Sequence, residues 1–411
     1  MKAEIVGVGT ELLLGQIANT NAQRISEALA SIGVDVHFHV AVGDNLGRMA
    51  DVIATAVRRS EAVVITGGLG PTPDDITREG VAEALGLRID RHEDLAEKVR
   101  DIFGRLNRPM PEDNLKQADL PEGAVPIEPE GTAPGFYVES DGAIVFALPG
   151  VPWEMEAMLK KTVLPVLRER QGDAVIVSRH VLVIGLGESH TQEKIADIVD
   201  AQTNPTIAYL AGGGQVRVRI TAKARGESEA LALIRPVEAE IRSRLGRAAV
   251  EGEEDDIVPA FGNMMRERGI SVAVAESLTG GLMGAALSRV KGSSDFFLGG
   301  LILYATEMKE RVGDVDRGIL EGPGAVSAEA AAALAESAAK KFDAGLGLSA
   351  TGVAGPSEQE GKPVGTVFVG ASYQGRTETR QVRGYGDREN IRKISVTAAL
   401  DLGRRLVLGD E

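Results

Sequence analysis

The chain has 411 residues, 43% of them hydrophobic, with 45 Lys plus Arg against 60 Asp plus Glu and a formal charge of −15. That length is typical of two or three domains, and so acidic a balance lacks the basic footprint of a general nucleic-acid binder. There is no cysteine, and the five histidines include no His-x-x-x-His pair, which removes disulfides, thiolate chemistry and zinc sites built on Cys or His.

The opening Met1-Lys2-Ala3-Glu4-Ile5-Val6 reads as a short strand rather than a signal peptide, and no apolar run is long enough to span a membrane. The expectation is a cytoplasmic α/β protein. Residues 1–170 alternate strands at 5–8, 34–42 and 62–66 with helices at 21–30, 46–58, 76–85 and 94–106. A strand pair at 135–139 and 143–147 turns at Asp141-Gly142, and a helix follows at 153–168. This is the βαβ pattern of a mainly parallel sheet. Residues 171–252 read as a small α+β unit, with strands at 174–184, 206–210 and 216–222 and helices at 189–199 and 228–245. Gly212-Gly213-Gly214 forms its hairpin turn. The acidic run Glu251-Gly252-Glu253-Glu254-Asp255-Asp256 is a solvated linker or a helix start. Residues 253–411 return to α/β alternation: a strand at 270–274, a helix at 282–290, a strand at 301–304, a strand-end loop at 349–356 and an amphipathic helix from Arg388 onward.

Three loops in the amino-terminal half follow apparent strands: Gly7-Val8-Gly9-Thr10-Glu11-Leu12-Leu13-Leu14-Gly15 with Asn19-Thr20-Asn21, Thr66-Gly67-Gly68-Leu69-Gly70-Pro71-Thr72-Pro73-Asp74-Asp75-Ile76-Thr77, and Leu148-Pro149-Gly150-Val151-Pro152-Trp153-Glu154-Met155. Ligands of open parallel sheets bind outside the carboxyl ends of the strands, so the three are expected to converge on one site. Gly67, Gly68 and Gly70 would admit a phosphate to backbone N–H groups, and Asp74 and Asp75 would suit Mg²⁺ with a diphosphate. The same residues also serve as turn glycines and a helix cap. Glu11 is either a metal or ribose ligand or an acid at a helix start.

In the last third, Ala275-Glu276-Ser277-Leu278-Thr279-Gly280-Gly281 puts a serine at a strand-to-helix turn. Alone, it reads as a capping residue; beside a base it reads as a nucleophile. The domain has no histidine, which leaves a lysine as base, and Lys309 is the candidate, with Tyr304 as relay or orienting group. Arg388 or Arg392 would bind a phosphate, and Thr351 and Gly352 would complete the pocket. Each has a plainer role: a solvated helix lysine, a core tyrosine, arginines paired to Asp387 or Glu389.

These motifs resemble the CinA family across essentially the whole chain. The resemblance implies a MogA-like, molybdopterin-binding amino-terminal domain (1–170), a small KH-like connecting domain (171–252) and an α/β deamidase domain (253–411). For the first it implies an ADP-ribose pyrophosphatase giving AMP and ribose 5-phosphate with a divalent metal, Mg²⁺ or Co²⁺, and potassium assisting. Asp74 and Asp75 are then the metal or diphosphate candidates, and Glu11, Asn21, Gly68 and Gly70 line the site. For the last domain it implies a nicotinamide mononucleotide (NMN) amidohydrolase of pyridine nucleotide recycling that needs no cofactor. Ser277 matches the nucleophile, Lys309 the base and Tyr304 a supporting residue, with Thr279, Gly280 and Gly281 around the oxyanion and Thr351, Gly352, Arg388 and Arg392 on the substrate side. Ala305-Thr306 and Ser357-Glu358-Gln359-Glu360-Gly361 depart from the family pattern. A homodimer is expected; membrane and direct nucleic-acid partners are not, since the middle unit lacks a Gly-x-x-Gly loop with basic flanks. The alternative is a pterin-binding or competence- and recombination-associated scaffold lacking one of the activities.

Overall fold

The computed structural model describes residues 1–105, 109–171, 174–252 and 254–409. Leu106, expected to end a helix, and Glu253, in the acidic run, lie outside the described residues. The chain divides into two compact units, Met1–Val177 with Ala222–Ala232 and Ser178–Thr221 with Leu233–Glu411.

In the first unit, β1 (Lys2–Val8), β2 (Asp35–Val42), β3 (Ala62–Thr66), β6 (Val125–Ile127), β7 (Gly135–Ser140) and β8 (Ala143–Leu148) form a sheet of order β2-β1-β3-β8-β7-β6, while β4 (Ile89–Arg91) and β5 (Asp119–Pro121) form a separate antiparallel pair. The first four strands in that order are parallel and β7 and β6 are antiparallel, so the sheet is mixed with a parallel centre. β3 and β8 are buried throughout, as strands covered on both faces must be, and their runs of Val, Ile, Phe and Ala are apolar without alternation. Their side chains still alternate. Val63 and Ile65 pack with Met49 and Ile53 on one face, and Ala62 and Val64 with Ile25, Leu29 and Met155 on the other. The 135–147 hairpin turns at Asp141 and Gly142, both at positive φ (51° and 81°), which suits a two-residue primed turn.

Most of a three-stranded sheet and the whole of a five-stranded one fall within the second unit. β9 (Ala174–Ile184), β10 (Thr206–Gly212) and β11 (Gln215–Arg225) form an antiparallel hairpin and a third strand in the order β10-β11-β9, with helices Glu188–Asp200 and Glu227–Leu245. β12 (Val272–Glu276), β13 (Phe297–Ile302), β14 (Leu346–Gly352), β15 (Thr366–Tyr373) and β16 (Arg376–Arg383) form a sheet of order β13-β12-β14-β15-β16, parallel across the first three and antiparallel beyond. Helices Ile257–Arg268, Leu282–Ser288 and Arg388–Leu408 share a core with Val272, Val274, Leu346 and Leu348, and Ala328–Phe342 packs Leu334 and Ala338 against Ala273 and Ala275.

Three sequence expectations are corrected here. β13 spans Phe297–Ile302 rather than 301–304. Its glycines read as a loop, but a Cβ at Gly300 would collide with Val274 Cγ2, so they are what lets β13 lie beside β12. Ser349, Ala350 and Thr351 belong to β14, and the loop begins after Gly352. The last helix is buried over most of its length, including Asp401 and Arg404, instead of showing one polar face.

Gly347 shows how closely the alanine-rich helix lies on β14. A Cβ there would collide with the carbonyl oxygen of Ala335 and stand 2.8 Å from the amide of Ala339, both backbone atoms that cannot swing aside. Gly347→Val should therefore destabilise the second unit by about 1–3 kcal/mol or more, read as a lower urea midpoint.

Candidate active sites

In the second unit, β12 delivers Ser277 to the sheet's carboxyl edge. Pairing continues past the strand end: Ser277 N–H donates to Ala350 O at 3.0 Å, and Leu303 N–H donates to Glu276 O at 2.7 Å. Ser277 is held between β14 and the chain leaving β13, and is buried. Beyond it, Gly280 and Gly281 sit at φ 56° and 95°, where a side chain would be strained, and turn the chain into helix Leu282–Ser288.

Lys309 lies in the short helix Thr306–Arg311 and is 2% exposed. Its Nζ donates to Leu303 O at 3.2 Å, and no carboxylate pairs with it among the described residues. Burial lowers its pKa from the ordinary lysine value, against the opposing pull of Glu360 and Glu307. Tyr304 is exposed, and its hydroxyl accepts from Arg388 Nη2 at 2.7 Å. Arg388 Nη1 donates to Gly355 O, so among the described residues this guanidinium is held by neutral groups. Thr351 Oγ1 donates to Ala325 O at 2.7 Å, and Gly352 has no room for a Cβ beside Thr366 O. Ser277, Tyr304, Lys309, Thr351, Gly352 and Arg388 line one cavity of about 140 Å³, together with Leu278, Ser357 and Gln359. A cavity that small takes the reacting end of a ligand and leaves the rest at the open face.

Thr279, Gly280, Gly281 and Arg392 are not in that lining. Arg392 donates to Thr279 O at 2.6 Å and pairs with Glu389 at 2.8 Å, which is the plainer of its two expected roles. The amides of Gly280 and Gly281 are engaged, by Ser277 O at 3.1 Å and Glu276 Oε2 at 3.0 Å. Two of the three expected oxyanion donors, Gly280 and Gly281, are thus committed, whereas the amides of Thr279, which lies outside the lining, and of Leu278, which is in it, make no hydrogen bond among the described residues. Sequence reasoning missed Glu276, Ser357, Gln359 and Glu360. Glu360 accepts from the amides of Ala325 and Val326 and so ties down the loop that departs from the family pattern.

In the first unit, a cavity of about 160 Å³ opens at the carboxyl ends of β1, β3 and β8, lined by Glu11, Leu12, Asn19, Asn21, Thr66 and Gly150 among others. Asn21 Nδ2 donates to Thr66 Oγ1 at 3.0 Å and Gly150 O at 2.8 Å, leaving its buried Oδ1 without a partner among the described residues. The first and third loops therefore converge, and the second contributes only Thr66. Gly68, Gly70, Asp74 and Asp75 lie outside the lining. Asp75 Oδ2 accepts from Thr72 N–H at 2.9 Å and Thr72 Oγ1 at 2.6 Å, and Gly70 is glycine because a Cβ would meet this carboxylate. The loop is gripped from below: the fully buried Arg78 donates to Leu69 O at 2.7 Å and Lys116 to Asp75 O at 2.6 Å, with burial drawing the Arg78 guanidinium down to about 10. Among the described residues no three His, Asp or Glu side chains gather as a metal cage. The exposed Asp74 and the second oxygen of Asp75 fit a Mg²⁺ ion that takes one or two carboxylates and its remaining ligands from water and a diphosphate. Among the described residues no helix is long and apolar enough to cross a membrane.

The family described as "CinA C-terminal domain" matches residues 254–407, "Probable molybdopterin binding domain" matches 4–169 and "Damage-inducible protein CinA KH domain" matches 178–249. A "Putative competence-damage inducible protein" of Acetivibrio thermocellus is 46% identical over 410 residues, covering 99% of each chain. A "CinA-like protein" of Frankia casuarinae is 45% identical over 419 residues, covering 100% of this chain and 97% of its own. A solved CinA structure from Thermoplasma acidophilum, titled as of unknown function, is 38% identical and covers 40% of this chain and 99% of its own, with a TM-score of 0.38. The chain belongs to the CinA family, with a molybdopterin-binding mixed-sheet domain, a KH-like middle domain and an α/β CinA carboxy-terminal domain.

Proposed function

We propose that the carboxy-terminal site deamidates NMN to nicotinate mononucleotide and ammonia. The observation that carries this reading is one small cavity lined by a buried serine, a buried lysine with lowered pKa and an arginine with no carboxylate partner among the described residues. Neutral Lys309 takes the Ser277 proton as Oγ attacks the carboxamide carbon, and the N–H group of Leu278, which lines the cavity, meets the developing oxyanion. The C–N bond breaks, Lys309 returns the proton to the leaving nitrogen, and water then hydrolyses the acyl-serine. Tyr304, whose oxygen accepts from Arg388, keeps its own proton free to donate into the cavity. Arg388 supplies the charge for the substrate phosphate. The test is ammonia release from NMN by the purified protein; no release from a folded wild type overturns the reading.

For the amino-terminal domain we propose metal-dependent hydrolysis of ADP-ribose to AMP and ribose 5-phosphate at the strand-end loops, with Asp74 and Asp75 outside the cavity lining. Asp74 and Asp75 would hold the divalent ion, which supplies charge neutralisation on the diphosphate when bound. Glu11 and Asn21 line that cavity, and the Glu11 carboxylate would accept hydrogen bonds from the ribose hydroxyls. Asp75→Ala should lower ADP-ribose turnover with Mg²⁺ or Co²⁺ by about 100-fold or more. Wild-type turnover in both Asp74→Ala and Asp75→Ala would sink the assignment, and binding of ADP-ribose without turnover in the wild type would favour a ligand-binding scaffold.

A further inference from the structure

Glu276 is one residue before Ser277 and 2% exposed. Its Oε2 accepts from the amides of Gly281 and Met283, each at 3.0 Å, and its Oε1 from that of Gly284 at 2.8 Å. Helix Leu282–Ser288 has Gly281 as its N-cap, in a left-handed conformation and with no capping side chain of its own, so its first amides would otherwise be orphaned. A helix start with free amides is an anion site, and this one lies beside the nucleophile. The carboxylate fills it from within the protein. Glu276 is also fixed through its own carbonyl, which accepts from Leu303 N–H, while the next amide donates to Ala350 O. Side chain and backbone together leave the serine turn little freedom.

We propose that Glu276 is a positioning residue for the Ser277 site: by occupying the amides of Gly281, Met283 and Gly284 it holds the serine turn and directs the oxyanion to the amide of Leu278. The inference rests on Ser277 being the nucleophile. The Gly280 and Gly281 amides that sequence reasoning counts among the oxyanion donors are thus closed to substrate, and the donor this turn leaves at the cavity is the amide of the residue immediately after the serine, as in a nucleophile elbow. The carboxylate does not touch Lys309, so it acts on turn geometry and not on the base.

The variant that tests this is Glu276→Gln, which keeps size and shape but sets an amide NH₂ against a backbone N–H. Two rates are read. One is ammonia release from NMN. The other is labelling of Ser277 by a fluorophosphonate, in which an Oγ–P bond forms, the P–F bond breaks, fluoride leaves and the serine proton goes to Lys309. Both should fall about 10- to 100-fold, with KM for NMN and the pH profile unchanged. Should Glu276→Gln fail to fold, Glu276→Asp, which retains the charge but is one methylene short, is expected to show the same kcat loss to a smaller degree. Both rates within twofold of wild type, in a folded variant whose Gly281, Met283 and Gly284 amides exchange faster, would make the carboxylate merely structural and overturn the inference. A wild type that labels at Ser277 without deamidating NMN defeats the NMN reading alone, and the labelling rate then decides on Glu276. A wild type that does neither removes the nucleophile and the inference with it.

Discussion

Lys309→Met should abolish ammonia release from NMN, and the wild type should lose activity as pH falls while keeping its fold. Methionine fills the lysine's volume without a basic nitrogen, so the serine proton has nowhere to go, and the loss should be on the order of 10³-fold or more, as for Ser277→Ala. The pH dependence follows from burial. The charged form of Lys309 is disfavoured in the folded protein, so its pKa lies below the ordinary 10.5. Below that lowered pKa the amine is protonated and cannot act as base; activity therefore rises with pH through it and levels off at a lower pH than an ordinary lysine would permit. The same shift affects stability. Between the lowered pKa and 10.5 the unfolded chain binds more protons than the folded one, so stability rises with pH across that window and is flat on either side of it. Lys309→Met should remove this slope. A pH–rate profile of kcat/KM beside denaturation curves at several pH values checks both. Normal turnover in Lys309→Met, or a profile that falls with rising pH, would exclude the neutral amine as base.

What the sequence made legible was set by how local each signal is. β3 and β8 are unbroken apolar runs between turn residues, and the 135–148 hairpin has Asp-Gly at its tip, so these needed no tertiary knowledge. Ser277, Tyr304, Lys309, Thr351 and Arg388 were each picked out as polar residues at strand or helix ends, and the sheet order β13-β12-β14 gathers them around one cavity. Contacts set by side-chain reach were hidden. Asp75 turns back to Thr72, three residues earlier, because a short carboxylate near free amides bonds locally before it serves a ligand. Arg78, which carries no signal in the sequence, lies fully buried with Nη2 on Leu69 O. Glu276 bonds to amides five to eight residues ahead, a spacing that fits no capping pattern. β13 was misplaced because its glycines carry no strand propensity; close approach to β12 selects them.

Asp401→Ala should be the most destabilising single change outside the apolar core, by about 3–5 kcal/mol, with the kcat of the folded fraction unchanged. Asp401 is fully buried in the last helix. Its Oδ1 accepts from Arg404 at 2.9 Å, and its Oδ2 from Arg380 of β16 at 3.0 Å and from Arg405 at 2.9 Å. One carboxylate thus joins the edge strand β16 to the helix and neutralises Arg404, which is itself 4% exposed. Truncation leaves that guanidinium buried without its counter-charge, and this costs far more than the pair stabilises relative to an apolar substitute. Arg380 and Arg405 reach water and can recover hydration, so Arg380→Ala should cost much less. Replacing both Asp401 and Arg404 by leucine and methionine should restore most of the loss, because no buried unpaired charge then remains and Arg380 and Arg405 can hydrate. The helix begins at Arg388, which lines the carboxy-terminal cavity, and Asp401 lies more than three turns further along. The substitution therefore acts on how often the unit unfolds and leaves the cavity of a folded molecule intact. Urea unfolding of the single and double variants, with activity normalised to folded protein, tests this; a double variant as unstable as Asp401→Ala would show that the carboxylate contributes through packing instead of charge.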